Sequence, residues 1–468
     1  MWFAGQDNRT SAQKPIYDIF LPRVGFAWSF MPNTVLRGGF GMYSYNFSQD
    51  VYGAGIGAGS IYTSTGSAND PNSGTGPNPL IYLSSSAAVA DSTLNYVVGS
   101  PQSRIPYTYL NLKTPSNQTY VPYNVPVGRI NQWQVSVEHQ FAHDYMASLA
   151  YVGSHGSNLQ FPSDQNQITS ATGLAASSAA GSAVQADRPF PAWGTLSGNN
   201  YNAISNYNAL QAQVTKRYSN GLLFSANFVW SHMLDDQDSG GWGSRGGTQY
   251  WQIANDPQAN YGNSNFDIPI AFKGYASYEL PFGRGKKYLS SSGQVVDVLV
   301  GGWRLSGTFI AQSGNPFTVV MNSNKNQTIT GCSVGGTASG GDVNNGCNWF
   351  ANVVGNVNGP KNSAEWFNTA AFASPSIAPF QWGNEGRNAL RGPRLSVFNL
   401  SLAKGFTFKE RFHLDLRADF VNAFNHPSLG LPGQVLGAAN FGEINAQTQN
   451  GGVAVAPRSG QLSGVFSF

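Results

Sequence analysis

The chain has 468 residues, of which only 10% are charged while 13% are Phe, Tyr or Trp and 55 are Gly. A soluble domain ordinarily carries about a quarter charged residues, so this composition argues against a soluble helical protein, and so many aromatics are equally foreign to a disordered chain. The net charge of +3 arises from 26 basic and 23 acidic residues spread along the sequence, without the concentrated basic footprint that nucleic-acid binding needs. No apolar stretch reaches the roughly 18 residues of a membrane helix. The opening MWFAGQDNRTSAQKP lacks the basic start and apolar run of a signal peptide, so an outer-membrane destination requires an export signal outside this stretch.

In chain order the apolar periodicity is repeatedly two. Val24, Phe26, Trp28 and Phe30 open the series, followed by Trp133, Val135, Val137, His139 and Phe141. The turn FAHDYM joins that strand to ASLAYVG, and Asn220-Gly221 is a hairpin signal before Leu222, Phe224, Ala226, Phe228 and Trp230. In IPIAFKGYASYEL one face carries Ile268, Ile270, Phe272, Gly274, Ala276, Tyr278 and Leu280, and Pro281 with FGRGKK marks a strand end and a basic turn. Trp303, Leu305, Gly307, Phe309 and Ala311 follow, and FHLDLRADF sets Phe412, Leu414, Leu416, Ala418 and Phe420 against His413, Asp415, Arg417 and Asp419. The closing SGQLSGVFSF places Leu462, Gly464, Phe466 and Phe468 on one face, as expected of a strand that must pair to close a barrel.

These runs are roughly 9 to 13 residues, the span of a tilted membrane strand. The pattern gives about ten or eleven strands directly and about 12 to 16 in all. Long polar segments are expected near 44–128, 155–200, 233–265 and 313–395, with 171–186 a low-complexity loop and NPLIYLSSSAAVA a further candidate strand. Tight joins alternating with long ones are the topology of an outer-membrane barrel, with short periplasmic turns and longer extracellular loops. The expected fold is therefore all-β, a transmembrane antiparallel outer-membrane β-barrel, partial or whole, occupying residues 1–468 as one domain.

PRVGFAWSFMPNTVLRGGFGMY (22–43), YVGSHGSNL (151–159), GNEGRNALRGPRLSVFNLSLAKGFTFKERFHLDLRADFVNAFNHP (383–427) and the final Phe468 resemble the C-terminal barrel portion of Oar-like TonB-dependent outer-membrane transporters. The resemblance implies a barrel of about 22 strands with a plugged lumen, a TonB complex engaged through that plug, and energised movement of a large or scarce solute. The sequence departs from that pattern in showing no plug, TonB box or regulatory domain. It is expected to be the C-terminal portion of a larger barrel, completed by a missing N-terminal part or a partner chain and surrounded by outer-membrane lipid.

No enzyme is expected: GxSxG, HExxH and a P-loop are all absent. Six histidines spread singly form no metal set, and no cofactor is expected. His413, Asp415, Arg417 and Asp419 would line a lumen as a hydrated, salt-bridged wall, with a ligand or gating role as the alternative. Asp235, Asp236 and Asp238 in DDQDSGG read first as a solvated acidic loop, and second as a weak Ca²⁺ candidate, since the full EF-hand spacing is missing. Trp242, Tyr250 and Trp251 are candidates for a loop surface that binds a carbohydrate or aromatic ligand. Outer-membrane transport of an unidentified solute is the leading function; a surface-exposed structural or adhesive barrel and a passive porin are the alternatives, and a soluble β-sandwich or solenoid is a remoter one.

Cys332 and Cys347, in TGCSVGGTASGGDVNNGCNWF, are expected to close a loop disulfide, because a cell-surface loop is oxidising territory. A loop of this length is stabilised by roughly 3 kcal/mol in the chain-entropy account. Reduction should therefore raise protease nicking between residues 333 and 346, read on a gel; unchanged nicking would count against the bridge.

Overall fold

Eleven long strands carry the architecture of the computed structural model, which describes residues 14–45, 118–120, 122, 124–191, 193–237, 252–322, 325–332, 347–408, 412–445 and 457–468. They are β1 (Arg23–Met31), β2 (Thr34–Tyr45), β3 (Gly128–Gln140), β4 (Tyr145–Asp164), β5 (Leu196–Ser219) and β6 (Leu222–Asp235). β7 (Ile270–Glu279), β8 (Trp303–Gln312), β9 (Leu395–Phe408), β10 (Phe412–Val421) and β11 (Ser459–Ser467) complete the series. Each lies antiparallel beside its chain neighbour in one continuous sheet that runs from β1 to β11. Short strands Gln118–Tyr120 and Gly262–Asn263 add to its rim, pairing with β5 and β6. Among the described residues the sheet ends on β1 and β11, which do not pair with each other.

The alternating sequence becomes two chemically distinct faces through the register. Ala226, Gly274, Phe309 and Phe398 lie side by side on four neighbouring strands, and Leu305, Leu402, Ala418 and Leu462 form another apolar row. Trp230 is 61% exposed and Leu462 is 83% exposed. An apolar face of this extent is costly in water and at rest in hydrocarbon. On the opposite face Ser277, Ser306, Ser401, Asp419 and Gln461 stand in register.

Chain-order pairing sends the joins alternately to two rims. Residues 32–33, 141–144, 220–221 and 280–302 lie at one, and the described stretches 165–191, 252–269, 313–322, 347–394 and 422–445 at the other. Asn220 and Gly221 both take positive φ, +50° and +78°, the backbone that a two-residue hairpin turn demands. The second long segment begins later than the sequence pattern indicates: β4 runs to Asp164 and β5 starts at Leu196. The ladder continues there on polar pairs, including His155 Nδ1 with Asn206 Oδ1 at 2.7 Å, because pairing does not need an apolar face once the strand leaves hydrocarbon.

Residues 171–186 are not merely a low-complexity loop, for Ala171–Ala180 form helix α1. Ser170 accepts from the Gly173 N–H and Gly181 closes the helix at φ +72°, so an Ala-rich run with a cap at each end outweighs its lack of apolar periodicity. The NPLIYLSSSAAVA segment lies outside the described residues.

Glycines let broad rings lie flat across the apolar face. Trp133 stands opposite Gly153, and a Cβ on Gly153 would overlap its indole. Gly153→Val should therefore destabilise the folded barrel by about 1–3 kcal/mol, measured as a lower temperature for loss of the compact, heat-modifiable gel band.

Candidate functional site: the polar face and the loop layer above it

The polar face carries charges at both ends of the sheet, most densely on β7 to β10. In β10, His413, Asp415, Arg417 and Asp419 lie opposite the apolar set, and Arg417 Nε binds Asp419 at 2.7 Å and donates to Ser401 Oγ at 3.0 Å. Glu279, Arg304, Ala403, Arg417 and Ser463 form the next row towards the short-turn rim. A cavity of about 240 Å³ opens there, lined by Glu279, Lys286, Arg304 and Asp415 among others. Lys286 Nζ reaches Glu279 at 3.1 Å. Arg37 and Glu138 form a second, looser pair at 3.4 Å on β2 and β3. The cavity brings together Asp415, foreseen from the alternation, with Arg304 and Lys286, which sequence spacing alone does not connect.

At the other rim the long joins fold together and cover the polar face. Asp235, the last residue of β6, is buried and ion-paired with Arg387 from the β8–β9 join. Arg387 Nε also donates to the Asn260 carbonyl at 2.8 Å. Arg391 pairs with the buried Asp267. Three amide side chains bind three joins to one another: Gln167 donates to Gln252 O and accepts from Ala254 N, while Asn326 donates to Gln252 O and Asn348 O. Gln252 Oε1 in turn accepts from Phe350 N and Gly383 N.

The β8–β9 join also carries an apolar core of Phe317, Val319, Ala351, Phe367, Ala371, Phe372 and Leu390. Cys332 and Cys347 form a disulfide with Cα atoms 6.1 Å apart and pack against Phe161, Ala203 and Ala254. The loop layer thus has the interior of a small soluble domain.

Asp236, next to the buried pair, is 1% exposed. One carboxylate oxygen accepts from Ile204 N at 2.7 Å and the other is buried without a partner among the described residues. Burial pushes its pKa up to about 6. Asp238, Trp242, Tyr250 and Trp251 lie outside the described residues. Among the described residues no group of three or more potential metal-binding side chains comes together.

Sequence reasoning passed over Glu385, Arg387 and Arg391, which sit in the Gly- and Asn-rich string GNEGRNALRG. The signal was present: three charges in a segment otherwise built of small and amide residues. The burial of Arg387 and the pairing of Arg391 depend on joins more than 100 residues away, as the Asp235–Arg387 and Asp267–Arg391 pairs make plain.

A family profile described as an outer membrane beta barrel domain matches residues 1–461. The chain belongs to this family. Its apolar face is accordingly the lipid-facing surface of an outer-membrane barrel, and its long joins lie at the extracellular rim. Among curated proteins none matches the sequence.

Among solved structures, the outer membrane transporter YddB from Escherichia coli is similar over 95% of this chain and 40% of its own, at 9% identity and a TM-score of 0.42. The FrpB iron transporter from Neisseria meningitidis is similar over 96% and 39%, at 8% identity and a TM-score of 0.38. FpvA from P. aeruginosa bound to a pyoverdine is similar over 96% and 32%, at 10% identity and a TM-score of 0.37. The chain spans two-fifths or less of the length of these proteins, and likenesses this loose carry no argument about function.

Glu385 provides the pH test of the loop layer. It is 5% exposed, both its oxygens face the Val319 N–H at 2.9 and 3.1 Å, and burial pushes its pKa from 4.5 up to about 8. The folded layer therefore keeps a proton that the unfolded chain releases. That stabilisation is complete below about pH 4.5 and is lost as pH rises to 8. Thermal melting of the layer should fall between pH 6 and 8, a window above that of Asp236, and Glu385→Gln should flatten the dependence there; an unchanged slope would refute the assignment.

Proposed function

We propose that the chain forms part of the wall of an outer-membrane barrel that transports a large or scarce solute, in the manner of TonB-dependent transporters. The observation that carries this reading is the charged inner face. Glu279, Arg304, Asp415 and Arg417 crowd the surface opposite the lipid-facing rows, an arrangement that suits water and a polar solute and serves no purpose in packing. The lumenal role of His413, Asp415, Arg417 and Asp419 belongs to the same proposal.

Among the described residues the outer edges of β1 and β11 have no strand partner, which supports a second part of it. Backbone groups cannot be left unbonded in hydrocarbon, so further strands, from more of the same protein or from a second chain, close the sheet. A plug within the completed barrel would engage the TonB complex. The folded loop layer favours a surface-binding role as the competing reading, because its joined core and amide network hold a fixed outer surface.

Solute and ion flux through the protein as extracted from outer membranes separates these readings. Arg304→Glu should shift permeability towards cations, and uptake in cells should stop when the proton gradient is collapsed. Flux that survives collapse would indicate a passive porin. Absence of flux under both conditions would leave surface binding.

A further inference from the structure

Of the joins at the short-turn rim, residues 280–302 make the longest, and they contain helix α2 (Gln294–Val300). This helix is apolar on its surface rather than beneath it: Val295 is 74%, Val296 41%, Val298 45% and Leu299 66% exposed. Its single charged residue, Asp297, turns back into the join and accepts from the Arg284 N–H at 2.6 Å. Apart from Gln294 at its start, the exposed side chains of the helix are therefore all apolar.

Two side chains fix where the helix sits. Trp303 Nε1 donates to Leu299 O at 2.9 Å, and Lys404 Nζ donates to Gly301 O at 2.6 Å and to Leu299 O at 3.2 Å. Trp303 and Lys404 stand opposite each other in the ladder, and Lys404 pairs onward with Leu416. Both project from the lipid-facing rows. The end of α2 is consequently held from the lipid side of the sheet, continuous with the surface that hydrocarbon covers, and away from the polar face.

The residues leading into the helix have the composition of a membrane boundary. Phe282, Tyr288 and Leu289 are 40%, 48% and 51% exposed. Arg284, Lys286 and Lys287 lie among them, with the Lys287 ammonium 5.4 Å from the Tyr288 ring centre. Aromatic rings and long cationic side chains settle at headgroup depth, with apolar side chains just below.

We propose that residues 282–289 and α2 form an interfacial anchor in the anionic phospholipid leaflet at the short-turn rim, with the polar turn 290–293 between them on the water side. The valines and Leu299 enter the acyl boundary, while Arg284 and Lys287 meet lipid phosphates. Continuity with the lipid-facing rows and the two cations Arg284 and Lys287, which the pairing of Lys286 with Glu279 leaves on this join, favour a lipid surface over a second copy of the chain or a soluble protein.

The test uses the full protein, reconstituted in vesicles of phosphatidylethanolamine and phosphatidylglycerol. Val295→Cys carries an environment-sensitive fluorophore, and Ser290→Cys serves as the control; the native cysteines are bonded to each other, so each label is unique. The label at 295 should be several-fold less accessible to aqueous iodide than the one at 290, and should be quenched by nitroxides placed near the headgroups. Replacing phosphatidylglycerol by a zwitterionic lipid should raise iodide access, and the double variant Arg284→Gln, Lys287→Gln should abolish that difference. Equal iodide access at both positions would overturn the proposal, as would shielding that grows with protein-to-lipid ratio, which marks a second copy. A lipid dependence unchanged in the double variant would overturn the phosphate contact.

Discussion

Every peptide group that crosses hydrocarbon must be hydrogen-bonded within the protein, and this requirement shapes the whole molecule. It is met by an antiparallel ladder in which each strand pairs with its neighbour in sequence. Once pairing follows chain order, consecutive joins must alternate between two rims, and length can be distributed unequally between them. Among the described residues the sheet ends on β1 and β11, and the same requirement applies to the outer peptide groups of both strands.

Two solvents then divide the hydrophobic effect. Along the strands, apolar residues such as Trp28, Trp230 and Phe466 are exposed by more than half, because lipid is their partner. In the loop layer the rule reverts to that of a soluble protein, with Phe317 and Phe367 at 1% and 0% exposure. At the boundary, lysines on the lipid-facing rows direct their charge out of the hydrocarbon. Lys216 binds Asp144 at 2.6 Å in the β3–β4 turn, and Lys404 binds the carbonyls that end α2. Their ammonium groups lie 5.0 Å and 4.7 Å from the ring centres of Tyr145 and Trp303, so stem and charge are each matched to their surroundings.

Electrostatics separates the two halves of the candidate site. In the loop layer charge is consumed in burial: Asp235 by Arg387, Asp267 by Arg391, and Glu385 by retaining its proton. Such groups join one segment to another and leave little field outside. On the polar face Arg417 and Lys286 are 58% and 44% exposed. Although each is ion-paired, to Asp419 and Glu279, these pairs stay in contact with water, whereas the pairs of the loop layer are withdrawn from it.

The sequence alone determined the strand faces, because alternation with period two survives any tertiary arrangement: Leu414, Leu416 and Ala418 against His413, Asp415 and Arg417 needed no neighbour to be legible. It also determined the Asn220-Gly221 hairpin, through its backbone conformation, and the division into short and long joins. Only the tertiary structure decided that β4 and β5 extend beyond the membrane, that Ala171–Ala180 form a capped helix, and that Asp235 is matched to Arg387 across 152 residues. Local pattern records what a residue prefers within a few neighbours. Which distant join buries Arg387, or which row of the sheet holds the end of α2, depends on register and on loops meeting in space, and no short-range periodicity encodes that.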